Sequence, residues 1–318
     1  MKTARKLRQQ GVAVITALLL TTLAVTIVAS LFWQQQVQVR SMENQRLHLQ
    51  IQWILRGTLD WIKLILQQEG TQTYSSLKDP WATPLANTRI DQYVDRERVA
   101  GESFDANLSG QIFDATARYN LTNLAQDGVV SPAQVAIFKQ LLTLLRLDPS
   151  LADGAANLVA SGQVVAAAQA TPGNQASTPA KQMAVIELDD LLEVPGVTAD
   201  AVDKLRKFAI VLPDPTPVNV NTAPPEVLAA VLSTQMATAQ ALVTQRDRAA
   251  WPSTAYFNAA FVKLGGTAPG DAVASVKSGY FLVQSWLVLD RASLNTETLV
   301  KRNMSPPYVV DVVWTHQN

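Results

Sequence analysis

Residues 11–33 read GVAVITALLLTTLAVTIVASLFW, and no charged side chain occurs anywhere from Gln9 through Val39. Ahead of this run, Lys2, Arg5, Lys6 and Arg8 are unaccompanied by any acid. From Val12 to Trp33 is 22 residues. At about 1.5 Å of rise per residue that helix spans roughly 33 Å, the thickness of a bilayer's hydrocarbon. The apolar run therefore predicts one transmembrane helix, residues 12–33. The basic flank keeps the short N-terminal tail in the cytoplasm, so the C-terminal body is exported. An ordinary secretory signal has an apolar core of roughly 7–15 residues followed by small residues at its cleavage site. Here the run is longer, and Gly11 precedes it.

The rest of the composition narrows the chemistry. The chain has 318 residues, 48% of them apolar, enough for a real core in one or two domains beyond the anchor. Twenty-six basic residues balance 26 acidic ones, so no overall field draws it to nucleic acid. Cysteine is absent, which removes thiol nucleophiles, thiolate metal sites and disulfides together. The two histidines, His48 and His316, lie far apart in sequence, and no nucleophile, base and orienting group assemble around either. Asp189-Asp190 is the most conspicuous acidic pair, with no metal-ligand or histidine spacing beside it. The chain reads as a non-enzyme.

Beyond the bilayer, Leu47, Ile51, Leu55, Ile62 and Ile65 recur at helical spacing between charged residues, so the anchor continues as an amphipathic stem to about Gln68, with Gly70 ending it. Trp53 and Trp61 are expected to widen the buried stripe. After a loop-rich stretch with Pro80 and Pro84, the run 109–121 alternates Phe113, Ala115, Ala117 and Tyr119 and reads as a half-buried strand. Ser131-Pro132 opens a helix carrying Val135, Phe138, Leu141, Leu142 and Leu145, and helical character continues past Ala168. A polar loop covers 170–180. Leu191 to Thr198 leads into a helix through Phe208, and Thr222 with Pro224 or Pro225 starts another. Strands are expected over 278–290, 297–302 and 307–315. The fold class is α+β. A transmembrane helix continues into a helix-on-antiparallel-sheet domain, and a large all-α domain is inserted between the strands. The boundaries are 12–33 for the anchor, 34–125 and 271–318 for the two parts of the sheet domain, and 126–270 for the insert.

The order of basic leader, Gly11 and long apolar helix resembles the prepilin class of signals. The resemblance implies a leader over residues 1–11, cleavage between Gly11 and Val12 by a prepilin peptidase, and N-methylation of Val12. Losing the leader's four basic residues leaves a net charge of about −4. Pilins of this class commonly have Phe at the first mature position and Glu at the fifth, where this chain has Val12 and Thr16. A carboxylate in lipid is kept only where a partner amine awaits it. A subunit without it suits the first position of a filament.

With the 110–124 strand, the turn at Leu192-Glu193-Val194-Pro195-Gly196, the block Asn219-Val220-Asn221-Thr222-Ala223 and the strand from Ser278-Gly279-Tyr280-Phe281, nearly the whole chain resembles the minor pseudopilin K family of type II secretion systems. That resemblance implies a pilin-like fold and a place at the tip of a periplasmic pseudopilus. It implies partnership with the minor pseudopilins I and J, indirectly H, and anchorage in the inner membrane as a single-pass protein. It implies no cofactor, apart from the calcium of some pseudopilins. Asp79, Asp91, Asp95 and Glu97 could gather oxygen ligands, but they lack the spacing of a calcium loop and read as solvated carboxylates. The competing reading is a membrane-anchored helix-hairpin-helix protein that binds DNA. It rests on Leu192 to Leu205 with Lys204, Arg206 and Lys207, and it lacks the second glycine that would let backbone approach a phosphate.

Overall fold

The computed structural model describes residues 10–89, 106–163, 183–289 and 292–317. One α-helix, α1 (Gln10–Glu69), runs unbroken for 60 residues. Its first part, from Val12 to Arg46, is exposed along its whole length. Further on, Ile51, Leu55, Leu59, Ile62 and Leu66 line one side and are buried, spaced so that each lies about a turn from the next. Burying each such side chain contributes about 1.5–3 kcal/mol. Trp53 and Trp61, expected in that stripe, are instead 69% and 50% exposed, because 100° per residue carries them off the face that Leu59 and Leu66 occupy. The Arg56 guanidinium lies 5.4 Å from the Trp53 ring centre. Gly70 closes the helix: its N–H donates to the Leu66 and Gln67 carbonyls at 3.0 and 3.1 Å.

The remaining elements follow in chain order. Strands β1 (Leu85–Arg89) and β2 (Ala106–Asp114) precede the two-residue strands β3 (Tyr119–Asn120), β4 (Ala125–Gln126) and β5 (Val129–Val130). Helices α2 (Pro132–Leu144), α3 (Leu151–Gly162) and α4 (Ala199–Leu205) lead to β6 (Ala209–Ile210) and β7 (Val218–Asn219). Then come α5 (Pro225–Val231), α6 (Met236–Arg248), α7 (Thr254–Lys263) and β8 (Ala274–Ser275). Three long strands end the chain: β9 (Tyr280–Leu289), β10 (Ala292–Arg302) and β11 (Val310–Gln317).

Five strands form an antiparallel sheet in the order β1-β2-β9-β10-β11. Its alternation sends Phe281, Val283 and Val300 against α1, where they meet Leu55, Ile62, Leu66 and Trp81. Tyr280, Leu282 and Leu299 face the other way, onto Ala115, Ile210 and Leu212 of the helical region. That region has its own core, built from α2, α3, α5, α6 and α7 around Phe138, Leu141, Leu228, Phe257 and Phe261. The core also takes Tyr119, Leu121 and Leu124 from ahead of residue 126 and Val276 from beyond residue 270. The arrangement is α+β, a helix on one face of a sheet and a helical body on the other, inserted between β2 and β9.

Three further expectations need correcting. The 109–121 strand begins earlier, at Ala106, and ends at Asp114, where the Asp114 carboxylate accepts from the Thr116 N–H at 2.9 Å and turns the chain into a 3-10 helix over Ala115–Ala117. The loop-rich stretch contains β1, whose Leu85 pairs with Gly110. The helix expected through Phe208 stops at Leu205, followed by a turn. The 170–180 loop lies outside the described residues, as do Asp91, Asp95 and Glu97.

Candidate assembly site: the anchor and the buried polar node

The anchor carries its polar groups internally. The Thr16 hydroxyl donates to the Val12 and Ala13 carbonyls, each at 3.0 Å. Thr21, Thr22 and Thr26 likewise donate to carbonyls three residues back at 2.8–3.0 Å. Hydroxyls spent on their own helix present lipid with no unmet hydrogen bond. At the fifth position after Gly11, where a pilin-class carboxylate would seek an external amine, Thr16 is thus already satisfied. Val12 is 66% exposed and its side chain touches only the surroundings of the helix.

Where α1, the sheet and the helical region meet, a polar node is sealed from water. Asp114, at the end of β2, is 4% exposed, Asn219 is fully buried, and Ser278 is fully buried. One Asp114 oxygen accepts from the Asn219 amide at 3.0 Å and from the Thr222 and Ser278 hydroxyls. Its other oxygen accepts from the Thr116 N–H and hydroxyl. Asn219 also donates to the Ser75 carbonyl, while its oxygen accepts from the Asn221 N–H at 2.9 Å. Asn221 then holds the Trp251 backbone from both sides, at 3.0 and 2.8 Å. The block Asn219-Val220-Asn221-Thr222-Ala223 is therefore a hinge plate fixing the helical region to the sheet.

Arg302, 1% exposed at the end of β10, completes the junction. It donates to the Leu66 carbonyl of α1 at 3.0 Å, to the Ser278 carbonyl at 2.8 Å and to the Ser75 hydroxyl at 3.1 Å, and its guanidinium lies 4.9 Å from the Phe281 ring centre. Burial lowers its pKa from the usual arginine value, and Asp114, Glu69 and Asp79 pull the other way. Arginine stays charged despite such a shift. Arg246 does the same work inside the helical region, donating to the Val220 carbonyl at 2.9 Å and to the Ala223 carbonyl.

The other sequence candidates are engaged in holding the fold. Asp79 accepts from the Ser76 N–H and hydroxyl and from the Trp81 indole, so it caps a turn. Among the described residues no group of three or more histidines, cysteines or carboxylates is placed to hold a metal ion. Asp190 accepts from the Ile186 and Glu187 N–H groups at 2.7 and 3.0 Å, and Asp189 is paired with Arg206 at 2.7 Å. Arg206, a supposed phosphate contact, thus has its charge already answered. Gly196 sits at φ +92°, the left-handed turn that glycine permits. The sequence reading missed Asp114, Ser278 and Arg302 as a unit. Asn, Asn and Thr together in an otherwise apolar segment were the visible signal that a buried polar network lay nearby.

The fold has counterparts in known proteins. Profiles described as "Type II secretion system (T2SS), protein K" match residues 117–214 and 218–277, the two halves of the helical region with the Asn219–Ala223 block between Asp214 and Trp251. The type II secretion system protein K of Pseudomonas aeruginosa is 29% identical over 308 residues, covering 92% of this chain and 88% of that protein. Over nearly its whole length the chain resembles the type II secretion system protein K family. The protein K of Aeromonas hydrophila is 24% identical over 301 residues, covering 86% of this chain and 87% of its own length. A chain in the crystal structure of the GspK-GspI-GspJ complex from the enterotoxigenic Escherichia coli type 2 secretion system superposes with a TM-score of 0.62 at 18% identity, over 87% of this chain and 99% of that one. This likeness, with the exposed apolar helix at the N-terminal end, supports a membrane-anchored component of type II secretion with a C-terminal body.

Proposed function

We propose that this chain is the minor pseudopilin at the tip of the type II secretion pseudopilus, where it initiates and caps assembly for protein export across the outer membrane. The observation that carries this reading is the single helix α1, which passes without a break from a lipid-exposed apolar rod into the buried stem of the body. The rod stays in the inner membrane, crossing it once, and the body lies in the periplasm. A prepilin peptidase removes residues 1–11 at Gly11, and the new amine on Val12 is methylated. Thr16, satisfied within its own helix, leaves the chain with no carboxylate to offer a preceding subunit, which fits the first position in a filament. The bulk of the insert, residues 126–270, fits a cap and obstructs an interior position. The minor pseudopilins I and J are its direct partners, as in the complex whose fold it shares, and H is reached through them. No cofactor enters this role, and neither calcium nor nucleic acid is needed for it.

Intact-mass spectrometry of the membrane-extracted protein tests the first half of the reading. The expected mature chain begins at a methylated Val12, and Gly11→Val retains the leader because a side chain obstructs the close backbone approach of the peptidase. A mature chain that begins beyond Trp33 would overturn it. Co-purification of the full chain with I and J tests the second half, and failure to retain either one counts against the tip assignment.

A further inference from the structure

The sheet face turned towards the helical region is only half covered by it. Along β9, Leu282 lies under that region, whereas Trp286, two positions further along the same face, is 42% exposed. Register places Ser109 of β2 on one side of Trp286 and Asn295 of β10 on the other, with Gln284 next along its own strand. The indole is thus a flat apolar platform ringed by hydroxyl and amide side chains.

The platform leads past Gln284 into a cleft of about 320 Å³ beneath the overhanging helical region, walled by Trp314 and His316 of β11. Those two rings are stacked, 4.4 Å between centres and 20° apart. In the cleft every basic group faces an acid: Arg206 pairs with Asp189 at 2.7 Å, His316 stands 3.4 Å from Glu187, and Arg118 shares the cleft lining with Glu297, its main counter-charge. Gln284 donates to Glu297 at 3.2 Å. Donors and acceptors therefore alternate without a net charge to attract an ion. Four residues along the strand and two strands across separate Trp286 from Trp314 by about 16 Å, so the two aromatic groups mark the ends of an extended track.

We propose that this track binds a neutral oligosaccharide, one pyranose ring laying its C–H face on Trp286 and the following units placing their hydroxyls in the cleft. Aromatic faces bind apolar C–H surface, and paired amide, guanidinium and carboxylate groups can share hydrogen bonds with hydroxyls that carry no charge. An anion would meet Glu187 and Glu297, and a cation would meet Arg118 and Arg206. The inference does not depend on the tip assignment.

The test uses the full chain in a detergent whose headgroup is not a sugar. It is titrated with the β-linked tetrasaccharides of N-acetylglucosamine and of glucose and the α-linked ones of glucose and of mannose, by calorimetry and saturation-transfer NMR. At least one is expected to bind. Trp286→Ala weakens that binding by about tenfold, Trp286→Tyr largely restores it, and Asn295→Ala weakens it by about fivefold. Trp53→Ala, a change to an exposed indole on the stem, leaves it unaltered. Absence of binding to all four, or equal weakening by Trp53→Ala and Trp286→Ala, overturns the proposal. It is also overturned if Trp286→Ala spares saccharide binding and releases a partner pseudopilin, which would make the face a protein interface.

Discussion

Asp114 takes hydrogen bonds from Thr116, Asn219, Thr222 and Ser278, and three segments of the chain meet at that one carboxylate. Asp114→Ala would leave the Thr116 and Ser278 hydroxyls buried without their acceptor and strip one partner from the Asn219 amide and the Thr222 hydroxyl, and is expected to lower the unfolding free energy by about 3 kcal/mol. Urea unfolding followed by circular dichroism measures it; a loss under about 1 kcal/mol would mean that the node does not tie the two halves together. A more exposed cluster lies above it. Asp214 accepts from Tyr280 at 2.6 Å and from the Lys301 ammonium, and these bonds hold its pKa below the usual aspartate value. Lys301 is raised by Asp214, and Tyr280 is pushed up to about 12, by burial first and then by its bond to Asp214. The depressed Asp214 contributes stability above its unfolded pKa of about 4 that is lost as pH falls through the folded value. The raised Lys301 and Tyr280 contribute stability present below about pH 10 and lost as pH rises beyond it. Asp214→Asn should therefore flatten the acid limb of a stability-against-pH curve and make the alkaline limb shallower. At neutral pH it should cost less than about 1 kcal/mol, since the Asp214 and Lys301 side chains are 54% and 46% exposed.

Among the elements, those governed by one strong local rule were legible in advance. The apolar run, the basic residues between the stem's leucines and Gly70 gave the course of α1 from composition and period alone. Ser131-Pro132 marked the start of α2, although the Ser131 side chain makes no capping bond there. Two of the misreadings share a cause: tertiary pairing overrode local pattern. Phe113 to Tyr119 alternates like a strand, but Asp114 is needed by the node and bends the chain away. β1 lacks a β-rich sequence and exists because β2 offers it an edge. The site residues divided in the same way. Gly11, Val12 and Thr16, the residues proposed for processing and assembly, stand at the edge of or within an apolar run visible in the sequence, whereas Arg302 is separated by 236 residues from the Leu66 carbonyl that it bonds. At Gly196 the turn entering α4 depends on a conformation costly to other residues, with Leu151 Cδ2 at 3.3 Å from where a Cβ would stand. Gly196→Ala is expected to lower stability by about 1–2 kcal/mol, read as a shift in the urea midpoint at unchanged slope.

For the whole molecule, two solvents meet on one helix. No side chain from Val12 to Trp33 is buried against the body, so removing that rod takes none of its packing away, and the chain shortened to begin at Gln34 tests this. The shortened chain is expected to partition into the aqueous phase on detergent cloud-point separation, with an unfolding midpoint within experimental error of the full chain's. The full chain is expected in the detergent phase. Unfolding of the shortened chain would show that the body leans on its rod more than the buried stripe from Ile51 to Leu66 implies.

Arg302 clamps the last turn of that rod to the sheet, so the 60-residue helix and the head move as one stiff lever with its fulcrum in the bilayer. At about 1.5 Å per residue the lever is roughly 90 Å long, and a lean of about 10° sweeps its far end through roughly 15 Å. A small change in how the lipid-borne end is gripped by its neighbours is thereby magnified into a large swing at the outermost point.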